Sequence, residues 1–344
     1  MGYVDWEFAK ATGRTLVPAG PVVTPDQAAD EVAAIREAAR RAIGPVAQTS
    51  RLATPADAPQ ALVVDRATWI AMNADSMRAL LEPAFDRITG ERIPSATAAA
   101  IGGKVTGAEA GALLAFMASK VLGQYDLAPD GTPALMLIAP NIMAVAQDLD
   151  VDLADFRLWV CMHEETHRVQ FTANPWLREH LITQARSLAV DLAPDTERIA
   201  ELTRSLSQRL PEALGSGGLG VAGLFTTPEQ RDRMAALTAV MSLLEGHADV
   251  VMDDVGPTYI PSVAAIRAKF TERRKGAGAA DRLLRRLLGL EAKMRQYRDG
   301  AAFVRAVHAS VGVDGFNAVW ASPANLPLAA EITDPASWVR RVHG

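Results

Sequence analysis

The run Trp159-Val160-Cys161-Met162-His163-Glu164-Glu165-Thr166-His167-Arg168-Val169-Gln170 carries the pattern H-E-x-x-H at 163–167. Positions four apart share one face of a helix, so His163 and His167 offer two imidazoles one turn apart, a grip for one Zn²⁺. Glu164 follows the first histidine, where a carboxylate can take a proton from water activated by the ion. With only six histidines in 344 residues, this spacing carries information. An open zinc site uses three protein ligands, and the pattern supplies two.

The residues before the motif predict its setting. Asp148, Asp150, Asp152 and Asp155 have a D-x-D-x-D spacing, but Leu153 and Trp159 stand where a calcium loop needs glycine and glutamate. Asp152 therefore reads as a helix N-cap, with Asp155 at the third helical position. Leu153, Phe156 and Leu158 to Met162 leave no polar face before His163, which predicts a buried core helix over 153–172.

Gln170 and Ala173 occupy the glycine and third-histidine positions of the longer H-E-x-x-H-x-x-G-x-x-H form, so that form is excluded. The candidates for the third ligand are His180, Glu179, Glu245, His247 and Asp249. Glu245 is the strongest, because Asp249 lies one turn further along the same face. There it could accept the far N–H of His163 or His167. His247 points about 200° away from Glu245. Gly246 and Ala248 are small, which fits close packing of two helices around an ion. Glu245 comes 78 positions after His167 (245 minus 167), so the site needs a long excursion.

These residues resemble the zincin clan of metallopeptidases, in its glutamate-ligand branch with a later E-x-x-x-D helix. More closely, the chain resembles an actinobacterial zincin-like family of hydrolases, labelled as associated with deazaflavin-coenzyme biosynthesis or as zinc-dependent metalloproteases. The resemblance spans nearly the whole chain. It rests on Val64-Asp65-Arg66 with Trp69, Gly123-Gln124-Tyr125-Asp126, Ala139-Pro140-Asn141, Trp159 to Gln170, Glu245 to Asp249, and Lys293-Met294-Arg295-Gln296-Tyr297-Arg298-Asp299-Gly300. It implies His163, His167 and Glu245 as zinc ligands and Glu164 as general base. The coenzyme label is an association and gives no reaction.

Composition sets outer bounds. The chain is 49% apolar with a net charge of −5, which gives no electrostatic case for nucleic acid. Aromatics are sparse at 6%, favouring helix over sheet. A single cysteine, Cys161, excludes an internal disulfide and fits a reducing compartment. The N-terminus lacks the pattern of a signal peptide, and the apolar run Ala134–Ala146, broken by Pro140 and Asn141, is too short to span a bilayer. The expectation is a cytoplasmic protein without a membrane span.

The periodicity predicts helices over 25–43, 65–81, 107–122, 175–210 and 228–256, and further helix within 261–311. Residues 88–105 read as loop, and 134–138 as the clearest strand. Gly215 to Gly220 matches G-x-G-x-x-G but follows a helix, so it reads as a connector or lid over 214–224. The basic residues between Lys269 and Arg286 alternate with leucines and read as a solvated amphipathic face. The fold class is mainly α (α+β), zincin-like, with a small sheet beside the motif helix. The organisation is an N-terminal helical region 1–105, a metal-binding core 106–260 and a C-terminal helical region 261–344, packed as one unit.

The functional reading is zinc-assisted hydrolysis of a peptide or small amide, with Glu164 as general base. Tyr297 leads the candidates for stabilising the oxyanion, followed by Tyr259 and His247. The strand 134–138 could be the sheet edge that pairs with an extended peptide, with Asn141 close behind it. The rival reading is a catalytically silent zincin-like scaffold that works through partners.

Overall fold

A computed structural model describes residues 3–90, 96–192, 227–275 and 290–344, and the side chains within them except at 87–90, 96–100, 273–275 and 290–298. The glycine-rich 214–224 stretch, the far half of the helix expected over 175–210, and the Tyr297 side chain lie outside the described residues. The helices are α1 Trp6–Leu16, α2 Pro25–Ser50, α3 Arg66–Gly90, α4 Ala96–Ala118, α5 Ala139–Leu149, α6 Leu153–Thr172 and α7 Pro175–Leu192. They continue as α8 Pro228–Tyr259, α9 Val263–Lys275, α10 Leu290–Phe316 and α11 Pro335–His343. The strands are β1 Leu62–Val64, β2 Gly123–Asp126 and β3 Ala134–Ile138. The mainly helical class with a small sheet is as the composition predicts.

The chain divides into two compact units, one formed by Met1–Ile182 with Ala248–Arg273 and the other by Thr183–His247 with Arg274–Gly344. This division differs from the sequential regions 1–105, 106–260 and 261–344. Helix α2, from the first hundred residues, packs directly on the motif helix, and the first hundred residues belong in its unit.

In the first unit the sheet order is β1-β3-β2, with β1 parallel and β2 antiparallel to β3. The strand expected to be an edge, 134–138, is therefore central. Its five residues are all buried, as suits a short apolar run covered on both faces. The two-residue alternation sends Leu137 into a core with α2, α5, α6 and the far end of α8. Met136 and Ile138 enter a second core with α1, α3 and α4.

The stretch 88–105, expected as loop, contains the end of α3 and the start of α4. Within it the Gly103 carbonyl accepts from the Asp5 N–H at 2.8 Å, and the glycines that follow along α4 pack at backbone contact. A Cβ at Gly107 would lie 2.5 Å from Asp5 O, and one at Gly111 2.4 Å from Ala9 O, both on or next to α1. Glycine here marks close approach rather than a break. Pro140 likewise opens α5 at its first turn instead of only ending a strand.

Helix α6 is capped as expected: the Asp152 carboxylate accepts from the Asp155 N–H at 2.8 Å. Asp155 in turn accepts from both N–H and Oγ of Ser262. Arg157 pairs with buried Glu31 of α2. Cys161 sits beside the Ile35 carbonyl, and burial pushes its thiol well above the ordinary range, so it packs rather than reacts. Helix α8 starts with a capping box in which Thr227 and Gln230 exchange bonds of 2.9 and 3.2 Å. By length and composition α8 could cross a membrane, but more than half of its most apolar stretch is buried, as in a core helix.

In the second unit α10 crosses the first part of α8 at backbone contact. A Cβ at Gly300 would fall 1.9 Å from Ser242 O, and one at Gly246 2.2 Å from the Gly300 carbonyl carbon. Gly246 is thus small where α8 meets α10.

Candidate metal centre

On α6 the residues from Val160 to Phe171 are buried except His163 and His167, which are half-buried on one face. Their rings meet edge to face at 4.9 Å, and the two Nε2 atoms lie 3.3 Å apart. Two ligands held 2.0–2.1 Å from a tetrahedral zinc stand about 3.3–3.4 Å apart. The imidazoles are therefore spaced for one shared ion.

The tautomer of His167 follows from its neighbour. Its Nδ1 lies 3.1 Å from Gln170 Oε1, an atom that can only accept, so the proton sits on Nδ1 and Nε2 keeps its lone pair for a metal. Gln170 is fully buried one turn along α6. In the sequence this residue stands out only as the departure from the glycine of the longer motif. The available signal was an amide three positions after the second histidine, where helix geometry returns it to the same face. Gln170 thus meets the Nδ1 edge of His167, one of the two ring edges at which Asp249 is expected.

Glu245 lies on α8. The division between the units falls just beyond it, between His247 and Ala248, within an unbroken helix. The helix continues through Val251, Met252 and Val255 into the same core as Leu158, Val160 and Met162 of α6. Along α8, Met241, Glu245 and Asp249 recur at steps of four as half-buried positions. The ligand atoms of His163, His167 and Glu245 lie within 4.8 Å of one another. Two imidazoles and a carboxylate at this separation are a donor set suited to zinc.

The other candidates do not join this group. Glu179 is exposed and pairs with Arg178, and His180 packs on Trp176. His247 is fully buried, its ring 5.4 Å from both Phe316 and Trp320. Tyr259 ends α8, 14 positions past Glu245, or about 21 Å along a helix.

Glu164 is buried, and its carboxyl lies against the backbone of Gly123 at the start of β2. A Cβ there would be 2.5 Å from Cγ, 2.6 Å from Cδ and 2.9 Å from Oε1 of Glu164. Glycine is required at this point by close approach. A connected scaffold holds it in place. Trp69 Nε1 donates to Gln124 Oε1, and Gln124 Nε2 donates to Asn73 Oδ1, both at 2.9 Å. Asn141 accepts from Arg66 Nε at 2.6 Å and donates to the Ala118 and Val121 carbonyls. Asn141 therefore braces the turn before β2. The segments 64–69, 123–126 and 139–141, singled out by the sequence, form one framework behind Glu164.

On another face of α6, Glu165 and Arg168 form a buried ion pair at 2.7 Å, with Thr54 donating to Glu165 at 3.1 Å. Burial pushes the Glu165 carboxyl upward, and the bonds from Arg168 and Thr54 oppose that rise.

Residues 4–339 match the model of a family described as zincin-like metallopeptidase. A crystal structure from Chloroflexus aurantiacus, described as a "putative hydrolase with a novel fold", superposes with a TM-score of 0.72 at 29% identity and covers 99% of each chain. Among curated proteins none matches the chain. The chain belongs to the zincin-like metallopeptidase family.

Proposed function

We propose that this protein is a zinc-dependent hydrolase of amide bonds, with the peptide bond as its substrate class. The observation that carries this reading is the pair of Nε2 atoms 3.3 Å apart, with a Glu245 oxygen within 4.8 Å and Glu164 next in the chain. Family membership and the hydrolase description of the Chloroflexus structure support it. His163, His167 and Glu245 hold the ion; Gln170 orients His167, and Asp249, one turn from Glu245, does the same for His163.

When bound, zinc supplies Lewis acidity, polarising a carbonyl and making water acidic near neutral pH. The Glu164 carboxylate accepts the proton of the attacking water as the new C–O bond forms. It returns that proton to the leaving amine as the C–N bond breaks. The outer strand β2 lies beside Glu164 and offers an extended peptide backbone a pairing edge. Tyr297, from the family-matching segment 293–300, is the hydroxyl we assign to the oxyanion.

The test is Glu164→Gln on the zinc-loaded protein against a fluorogenic peptide library. The proposal predicts loss of cleavage by roughly 10²–10⁴-fold with zinc retained. Undiminished cleavage would remove Glu164 as base.

A further inference from the structure

The face of α6 that carries Arg168 lies about 100–140° around the helix from the two histidines. A cavity of about 270 Å³ opens there, between α2 and the segment before β1, lined among others by Arg36, Arg40, Ile43, Gln60 and Arg168. Among the described residues no acidic side chain lines it. Arg168 forms a buried floor, its side chain only 6% exposed. Three of its five N–H groups are used: Nε and Nη2 donate to Glu165, and Nη1 to the Pro59 carbonyl. Among the described residues the other two N–H groups have no partner.

Arg36 and Arg40 stand one turn apart on α2, where like charges destabilise a helix. Arg40 engages Glu37, whereas Arg36 has no acidic partner among the described residues. The mouth and floor of the cavity thus bring three guanidinium groups together. Guanidinium groups match carboxylate and phosphate oxygens in paired N–H···O bonds. At roughly 30 Å³ per water, the volume equals about nine waters, enough for a small organic molecule and too little for a folded partner.

We propose that this cavity is a binding site for a small carboxylate- or phosphate-bearing anion. Arg168 contacts the anion from the floor, Arg36 and Arg40 close over it from α2, and Gln60 supplies a neutral hydrogen-bonding group. The site is separate from the histidine face and stands whether or not the metal reading holds.

The test is calorimetric titration of the full chain with inorganic phosphate and with succinate, each against sodium chloride of equal ionic strength. The site predicts saturable one-to-one binding of at least one probe, and the preferred probe identifies the anion as phosphoryl or carboxylate. Arg36→Ala with Arg40→Ala removes two exposed side chains and should weaken binding roughly tenfold or more. Arg36→Lys with Arg40→Lys should fall between, because charge survives while paired geometry is lost. Circular dichroism of both double variants should match the parent. The proposal is overturned if neither probe binds saturably, if sodium chloride gives the same heat, or if the alanine double variant binds as tightly as the parent.

Discussion

Gly123→Ala tests the packing of the proposed general base without touching a metal ligand. The new methyl carbon would stand 2.5 Å from Glu164 Cγ and 2.6 Å from Cδ. Carbon atoms settle at about 3.5 Å, so one partner must move by about 1 Å. Gly123 is held by its pairing with Leu137 of β3 and by the Trp69–Gln124 bond beside it. The Glu164 carboxyl end is the softer partner and gives way. A displacement near 1 Å at a reacting group costs about 10²-fold in rate, and overpacking costs about 1–3 kcal/mol in stability. The prediction is a drop of about 10²-fold in kcat/KM on any peptide the parent cleaves, with bound zinc unchanged. Shortening the acid in Gly123→Ala with Glu164→Asp should recover stability but not rate. The measurements are kcat/KM, metal content and the urea midpoint. Parental activity in Gly123→Ala, with Glu164 in its parental position by crystallography, would refute the reasoning.

Gln170→Leu removes the acceptor of the His167 Nδ1–H and should lower zinc affinity by about 10–100-fold in chelator competition, whereas Gln170→Glu keeps an acceptor and most of the affinity. Arg168→Met strands Glu165, which is 2% exposed, and should cost about 3–5 kcal/mol in urea unfolding. Adding Glu165→Leu should restore most of that loss, and a single-variant cost below about 1 kcal/mol would contradict the pairing. In the second unit, two bonds from Arg341 hold the Glu331 carboxyl below the usual carboxylate range. A depressed carboxyl gives stability that is present above its unfolded pKa, about 4.3, and is lost as pH falls through its lower folded value. Unfolding midpoints between pH 5 and pH 2 should therefore fall less steeply in Arg341→Met than in the parent.

The site was legible where it depended on local geometry. Histidines four apart on a helix must share a face, and the buried run before His163 fixed α6 as a core helix. Glu245 and Asp249 were legible for the same reason, since steps of four on α8 expose one stripe. Gln170 is not legible from the motif, because the longer zinc-binding form has glycine at that position. Its role depends on which ring nitrogen it meets, and that follows from side-chain packing. Strand β2 gave little signal because four residues, Gly123 to Asp126, carry no apolar alternation; it exists through pairing with β3. Within 88–105, Gly102 and Gly103 have the composition of a loop, yet α4 runs through both from Ala96, and the helix is held by α1 packed along it.

Metal content after exhaustive dialysis, measured by plasma mass spectrometry, tests the central claim most directly. The account predicts one zinc per chain in the parent and in Glu164→Gln. It predicts loss of stoichiometric zinc in His163→Ala, His167→Ala and Glu245→Ala, with circular dichroism unchanged. A parent that holds no stoichiometric zinc, or a Glu245→Ala protein that retains it in full, would contradict the three-ligand centre.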